Sequence, residues 1–366
     1  MKMNSTLIIL GAGCSLNSGY PVANNMFPRL AEFRDSLEKE AVKLCGLVTQ
    51  TLRSVDKLRD QGKSLGTLDT LARLIHESEA FGETIQQRSE FVVAAKISVA
   101  ALFLFLEREA VRKGLPGYRK LLMRIFPDVP KVGFRRAIEL SRHRVLTFNY
   151  DRLFELAFRQ YFPDFDGTEA LYYKTVLNSG LSLVDSGNLD IDLNKLSFLK
   201  LHGSAGLYGF SSQLFPSTKT GNIRHIHSIP DPNIPTPITD AEFFYPNDPA
   251  DLIHSGKPKP VLITFPHEKD HLREYPSNLL SFKDYIPKIW EAAHFFASEA
   301  DEIHIIGYSC PDADAQALKR LFAAATTCRR YLIEDPSPGD VCQRLHSLLP
   351  NDFFGEVVCK SVSFSQ

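Results

Sequence analysis

The sequence contains few of the features that mark several common protein classes. Its 366 residues include six cysteines, and no two of them are spaced as C-x-x-C or stand near a histidine in a zinc-binding pattern. No metal site is therefore expected, and the cysteines are typical of the free thiols of a cytoplasmic protein. The formal net charge is only -1, which gives no general electrostatic attraction to nucleic acid.

Long hydrophobic runs are also scarce. The apolar run at residues 7–10 is too short for the core of a signal peptide. The run at residues 91–106 is shorter than the roughly 20 residues that a membrane span requires, and it contains Lys96. We therefore expect a buried core helix there, and no association with a membrane.

What the sequence does contain is an alternation of short strand-like runs with helical patterns. The strand-like runs are residues 5–10, 144–148, 198–201, 260–264, 303–306 and 331–333, and helical patterns follow at 153–158, 285–298 and 314–325. This alternation predicts an α/β fold with a Rossmann-like, mostly parallel sheet and helices on both faces. Helical spacing also dominates from about residue 27 to residue 142. We therefore expect an inserted helical subdomain at residues 28–142 and a main domain built from residues 1–27 and 143–366.

A glycine-rich segment, GAGCSLNSGYP at residues 11–21, follows the first strand. Glycines there let the backbone approach a phosphate, and free N–H groups at a helix start stabilise its charge. The usual dinucleotide fingerprint would have a third glycine where Leu16 stands, and no acidic residue ends a second strand about 20 residues later. Hydride-transfer chemistry is therefore disfavoured. The alternative is a simple strand-to-helix turn.

Polar residues stand directly after the next two strands. Asn149 and Asp151 follow the second strand, where ligands bind in parallel sheets. Asp151 either serves function or caps the following helix, and the pattern leaves both open. His202 follows the third strand, so we expect it to point into the same crevice, where an imidazole can accept a proton from a ribose hydroxyl.

Two later strands end in residues suited to a nucleotide. The segment IIGYSCPDAD at residues 305–314 passes through Gly307 into a helix. Ser309 and Asp314 are candidates to contact a nucleotide, although Asp312 or Asp314 also fits as a helix cap. The segment IEDPSP at residues 333–338 places acidic residues where an adenosine ribose would lie, with an ordinary loop as the alternative.

Taken in this order, the segments resemble the sirtuins, and in particular the bacterial sirtuin-like proteins of antiphage defence. GAGCSLNSGYP resembles their GAG-x-S-x-x-SG-x-P loop, TFNYD their T-x-N-x-D element and HGS their catalytic-histidine element, while IIGYSCPDAD resembles their late nucleotide-contacting loop. The segment VLITFPHEKD, Trp290 and ASEADEIHIIGYS are similar to the defence branch. The resemblance spans roughly residues 7–338.

The resemblance implies an NAD-binding catalytic domain with assigned residues. Asn149 would orient the nicotinamide ribose or the attacking water, Asp151 would support the same pocket, and His202 would be the general base. The residues implied in NAD binding are Gly11, Ala12, Gly13, Ser15 and Ser18 for the phosphates and ribose, and Gly307, Ser309 and Asp335 on the adenosine side.

Two departures from protein-deacylating sirtuins matter. The four-cysteine zinc module is missing, and residues 23–29 read ANNMFPR where an acidic residue followed by Phe-Arg would stand. We therefore expect an NAD hydrolase that releases nicotinamide and ADP-ribose, with NAD as its substrate. NAD-dependent protein deacylation and non-catalytic nucleotide sensing are the alternatives.

By the same resemblance, the chain would deplete NAD in antiphage defence. Its activity would be gated by a homo-oligomer, or by a partner such as an ATPase, a translocase or a nucleic-acid-sensing defence protein. The sequence leaves open whether the helical insertion is a lid or an assembly surface.

Overall fold

The computed structural model describes residues 5–22, 25–37, 41–65, 67–127, 143–161, 198–205, 207–210, 222–225, 259–260, 280–362 and 364. Most of the strand expected at residues 260–264 lies outside these ranges, as does the whole segment VLITFPHEKD. The strands are β1 (Thr6–Leu10), β2 (Arg144–Thr147), β3 (Phe198–Lys200), β4 (Leu207–Phe210), β5 (Asn222–His225), β6 (Lys259–Pro260), β7 (Glu302–Ile306), β8 (Arg330–Asp335) and β9 (Glu356–Ser361).

Helices fill most of the chain between these strands. They are α1 (Gly13–Leu16), α2 (Met26–Ser36), α3 (Val42–Asp60), α4 (Leu68–Glu77), α5 (Ile85–Arg112), α6 (Pro116–Ile125), α7 (Leu153–Tyr161), α8 (Leu280–Ser298), α9 (Ala315–Ala324) and α10 (Pro338–Leu348). Short 3-10 turns at Glu79–Phe81 and Asp312–Asp314 precede α5 and α9.

The main sheet has six parallel strands in the order β3-β2-β1-β7-β8-β9. The chain moves outward from β1 to β2 and β3, and then returns to the other side of β1 for β7, β8 and β9. This is the strand order of doubly wound dinucleotide-binding folds, in which ligands bind outside the carboxyl ends where the order reverses. The expected α/β fold with a parallel, Rossmann-like sheet is confirmed, and the reversal lies between β1 and β7. A separate antiparallel sheet has the order β5-β4-β6.

Both faces of the main sheet are covered, because side chains alternate along each strand. Ile8 and Leu10 of β1 pack in one apolar core with helices α2–α7. Leu7 and Ile9 pack in a second core with α8, α9 and α10. Since α2–α6 share their core with one face of the sheet, the division into two domains stays a prediction.

The long apolar run expected to be a core helix lies in α5. This helix has 28 residues and begins at a capping box in which Thr84 and Gln87 bond reciprocally to each other's backbone N–H groups. Its length and composition would allow it to cross a membrane, and 67% of its most apolar window is buried inside the protein. Such burial is the property of a core helix.

Two elements at the C-terminal end were not predicted. No helix is predicted after residue 335, but Pro338 stands at the first position of α10, where the missing N–H costs nothing. The edge strand β9 is mostly exposed, so it lacks the apolar run by which the buried strands were recognised.

Candidate functional site

A cavity of about 560 Å³ lies outside the carboxyl ends of β1, β2, β7 and β8, where the strand order reverses. This volume is typical of small-molecule and cofactor sites. The residues of the sequence prediction that line it are Ala12, Gly13, Ser15, Asn149, Asp151, His202, Gly307, Ser309 and Asp335. The helical region between β1 and β2 adds Thr67, Leu68, Asp69 and Phe103 to the wall. The cavity therefore gathers polar residues that are far apart in sequence.

The turn after β1 packs directly against the turn after β7. A Cβ on Gly11 would lie 2.4 Å from Tyr308 Cα, and one on Gly13 would lie 2.8 Å from Gly307 O. Gly307 has a φ of +58° and faces the backbone of Cys14. Only glycine allows these two turns to approach so closely.

In this contact between the two turns, backbone N–H groups that were expected to face a phosphate donate hydrogen bonds to the protein instead. Gly11 N–H donates to Ile306 O at 3.0 Å, and Gly13 N–H donates to Gly307 O at 2.8 Å. Cys14 and Ser15 donate to backbone oxygens within the turn. The expectation of a turn with free N–H groups at these four positions is therefore wrong, because the glycines join β1 to β7.

The orientation of the Asn149 side chain is set by the two atoms that accept hydrogen bonds from its amide group. Asn149 Nδ2 donates to Gly11 O at 2.9 Å and to Ser15 Oγ at 3.2 Å. Since a carbonyl oxygen only accepts, these bonds fix the nitrogen on the protein side. The amide oxygen Oδ1 then remains as the acceptor of a side chain that lines the cavity.

The Ser15 hydroxyl is fully used by the protein. It donates to Asp151 Oδ2 at 2.6 Å and lies 3.2 Å from Asn149 Nδ2 and 2.9 Å from the Tyr118 hydroxyl. Burial raises the pKa of Tyr118 well above its ordinary value, so that this hydroxyl stays protonated and can donate. One donation and two acceptances complete a hydroxyl. These bonds favour a positioning role for Ser15, and its contact with NAD stays a prediction.

Asp151 both caps a helix and holds this network. Its Oδ1 accepts from the backbone N–H of Leu153, where α7 begins, at 3.0 Å, and its Oδ2 accepts from Ser15. Burial raises the pKa of Asp151, while the Lys200 charge and these two hydrogen bonds oppose that rise. The capping interpretation is therefore confirmed for Oδ1, while Oδ2 holds Ser15 and the functional interpretation stays a prediction.

His202 is buried and held by a carboxylate. Its Nε2 lies 3.1 Å from Asp314 Oδ1, and Asp314 Oδ2 accepts from the Tyr308 hydroxyl at 2.7 Å. The Phe148 ring meets the imidazole edge to face at 5.0 Å between centroids and stacks on Tyr308 at 4.2 Å. A neutral histidine that donates from Nε2 carries its basic lone pair on Nδ1. The contact with Asp314 therefore selects the nitrogen that can accept a proton.

Asp314 shows what the sequence alone did not decide. It stands at the N-cap position of α9, but its side chain makes no capping hydrogen bond. It joins His202 and Tyr308 instead, and the nucleotide contact that the sequence suggested for it stays a prediction.

Two of the expected residues do not line the cavity. Gly11 is buried in the contact between the turns, and Ser18 lies in the bend after α1, where its N–H donates to Ser15 O at 3.0 Å. Ser309 and Asp335 do line the cavity, from β7 and β8. Asp335 Oδ1 accepts from the backbone N–H of Ser337 at 2.8 Å, which leaves Oδ2 for other partners.

Two buried ion pairs lie beneath the site. Arg152 donates from Nε and Nη2 to the two oxygens of Glu107 at 2.8 and 2.6 Å, and the side chains are 3% and 0% exposed. Lys200 of β3 pairs with Glu155 at 3.2 Å and donates to the backbone oxygen of Asp151. These pairs tie the segment that carries Asn149 and Asp151 to α5 and to β3.

Neither a metal group nor a disulfide is found in the described ranges. No three or more His, Cys, Asp or Glu side chains there are placed to hold a metal ion. All six cysteines are free, and Cys14 is buried with its thiol donating to Ile306 O at 3.1 Å. Burial raises the pKa of Cys14 far above its ordinary value, so that this thiol is a poor nucleophile.

No protein-family model and no curated protein matches the sequence. Solved structures do match it, with low identity. A mutant Sir2 homologue in complex with ADP ribose is 12% identical, with a TM-score of 0.40 over 99% of this chain and 88% of that chain. A Sir2 homologue in complex with NAD is 13% identical, with a TM-score of 0.40 over 99% and 86%.

A third solved structure, Sir2Tm bound to a propionylated peptide, is 14% identical, with a TM-score of 0.35 over 99% of this chain and 89% of that chain. The chain is thus distantly similar to Sir2 structures over nearly its whole length. Superpositions this loose establish neither its family nor its chemistry.

Proposed function

We propose that this chain is an NAD hydrolase that cleaves NAD to nicotinamide and ADP-ribose. The observation that carries the proposal is the placement of Asn149 and His202 at the ends of adjacent strands, in one cavity at the reversal of strand order. A dinucleotide placed across that reversal would have one half over β2 and β3 and the other over β7 and β8. The nicotinamide ribose would then lie beside Asn149 and His202.

The charge of the cavity wall suits this reaction. When the bond from the ribose C1′ to nicotinamide breaks, positive charge develops on the ribose, as in other glycoside cleavages. Four aspartates line the cavity, namely Asp69, Asp151, Asp314 and Asp335. Fixed negative charges near a developing cation lower the barrier, because they need no reorganisation during the reaction.

Water is the nucleophile that the geometry favours. Ser15 has no hydrogen-bonding capacity left, and Cys14 is a buried thiol outside the cavity wall. Asn149 Oδ1 would orient the attacking water by accepting a hydrogen bond from it. His202 Nδ1 would take a proton from that water or from a ribose hydroxyl, while Asp314 steadies the imidazolium that forms. The products are nicotinamide, ADP-ribose and one proton.

Incubation of the purified full-length chain with NAD, followed by chromatography, tests the proposal. Nicotinamide and ADP-ribose should appear in equal amounts. His202→Ala should reduce turnover by about 10²–10⁴-fold, the usual contribution of a general base. A parallel reaction with an acetylated peptide distinguishes deacylation, which would yield O-acetyl-ADP-ribose.

Matched variants separate chemistry from folding. His346→Ala and Asn351→Ala alter exposed residues outside the cavity and should hydrolyse NAD at the wild-type rate, whereas Asn149→Ala should not. Circular dichroism and the melting temperature check that each variant folds. Wild-type turnover by His202→Ala would show that the base is misassigned, and no product under any condition would reject the function.

We also propose that turnover is gated in the cytoplasm, by a homo-oligomer or by a defence partner such as an ATPase or nucleic-acid sensor, since an unchecked NAD hydrolase would drain its host. Size-exclusion chromatography with light scattering, read against activity, tests the oligomer. A fully active monomer would reject gating by assembly. Partner gating would be tested by adding candidate partners to the purified chain.

A further inference from the structure

The glycine-rich turn at the cavity offers few unbonded backbone N–H groups to a phosphate. Rossmann-like folds usually hold a pyrophosphate on free N–H groups of this turn and of the helix after it. Here the N–H groups of Gly11, Gly13, Cys14 and Ser15 donate to backbone oxygens of the chain itself. The following helix, α1, has only four residues. Because these four N–H groups are used within the chain, a phosphate in this cavity would rely on a cation from another element.

Only one cationic side chain among the described residues of the cavity wall could bind this phosphate. Four aspartates line the wall, so that a pyrophosphate in this cavity needs a cation beside it. Among the described residues that line the cavity, the only lysine or arginine is Arg344. Arg344 lies on α10, the helix that follows Asp335 and β8.

The guanidinium of Arg344 is placed without a carboxylate partner. No ion pair or side-chain hydrogen bond joins it to any described residue, and its Nε is buried without a hydrogen-bond acceptor. Buried Arg152 differs, because it is paired with Glu107. The Arg344 charge also acts on the loop after β7, since it lowers the pKa of Cys310 against the burial that raises it to about 12.

We propose that Arg344 binds the pyrophosphate of the adenine dinucleotide and that Asp335 Oδ2 accepts from the adenosine ribose beside it. This inference rests on the proposed function for the identity of the dinucleotide. A guanidinium offers several donors in a planar fork that matches two phosphate oxygens. Arg344 lines the cavity and has no carboxylate partner among the described residues, so its charge is available to such a ligand.

Calorimetric titration of the full-length protein with ADP-ribose tests the proposal without any turnover. Arg344→Gln should bind ADP-ribose roughly 10- to 100-fold more weakly, the usual effect of losing a hydrogen-bonded charge pair. Arg344→Lys should recover part of that loss, because it keeps the charge but not the fork. Adenosine, which has no phosphate, should bind both variants and the wild type equally.

Arg320→Gln is the matched control, because Arg320 is exposed on α9 and does not line the cavity. It should bind ADP-ribose like the wild type. Equal binding by Arg344→Gln and the wild type, or no binding by the wild type, would overturn the inference. So would a loss confined to 2′-phospho-ADP-ribose, since Arg344 would then read an added phosphate.

The two proposals fail in different ways. If ADP-ribose binding depends on Arg344 but no NAD is hydrolysed, only the proposed function is rejected. If NAD is hydrolysed and Arg344→Gln has an unchanged affinity and an unchanged KM, only the assignment of Arg344 is rejected.

Discussion

The two halves of the sheet present their polar groups to the cavity in opposite states. On the side of β1, β2 and β3, the hydroxyl of Ser15, both oxygens of Asp151 and both amide protons of Asn149 are bonded to the protein. On the side of β7 and β8, the described residues give no partner to the Ser309 hydroxyl or to the Arg344 guanidinium. On the second side Tyr308, Asp314 and one oxygen of Asp335 are also bonded, so the contrast lies in Ser309 and Arg344, which have no partner among the described residues.

This difference fits a division of labour between chemistry and binding. Catalytic groups have to be held in place before the substrate arrives, since small displacements cost large factors in rate. Internal hydrogen bonds supply that rigidity on the side of Asn149 and His202. Groups that only bind a substrate are more useful with open donors and acceptors, which the substrate itself completes.

The largest effect on stability is expected at the ion pair of Arg152 with Glu107, which ties the segment of Asn149 and Asp151 to α5. Arg152→Met leaves the Glu107 carboxylate buried without a partner and should lower the free energy of unfolding by about 3–5 kcal/mol. Urea denaturation followed by circular dichroism measures it. The double variant Glu107→Leu with Arg152→Met should regain most of the loss, because no charge then stays buried. A single variant as stable as the wild type would show that this anchor is dispensable.

A second variant acts on the hydrogen-bond network around Ser15. Ser15→Ala removes the hydroxyl that three side chains share, so that Asn149 and Asp151 lose their common partner. We expect kcat for NAD to fall by about 10²-fold, because misplaced catalytic groups cost that much, while KM changes little. Ser18→Ala is the matched control, since Ser18 does not line the cavity. A raised KM with normal kcat would instead make Ser15 a binding residue.

The close contact between the turn after β1 and the turn after β7 can also be tested by a substitution. Gly307→Ala places a Cβ 2.7 Å from the Cys14 nitrogen at a φ of +58°, which should destabilise the fold by about 1–3 kcal/mol. Gly339→Ala is the control, because its Cβ would meet nothing within 4 Å. Thermal melts compare the two. Equal melting temperatures would mean that the turns can separate without cost.

The extent of sequence prediction follows from what local patterns encode. Apolar runs and glycines define strands and their ends, and these placed Asn149 and His202 at one edge of the sheet. The pairing of side chains is set by tertiary contacts instead. Ser15 and Tyr118 lie 103 residues apart, and Tyr118 stands in a helix whose pattern shows only an apolar face. Arg344 was not predicted because no helix was predicted from the sequence at the position of α10.

The smallest effect is expected in the open half, and it should appear in binding alone. Asp335→Asn keeps an oxygen that can accept from Ser337 and removes the charge that would face the adenosine ribose. Losing one such charged hydrogen bond should raise KM for NAD by roughly tenfold, with kcat nearly unchanged. Steady-state kinetics measures KM and kcat for NAD, and Asp340→Asn, which alters an exposed residue, is the control that should leave both unchanged. A fall in kcat at constant KM would mean that the open half takes part in the chemistry, and the contrast between the two halves would then be wrong.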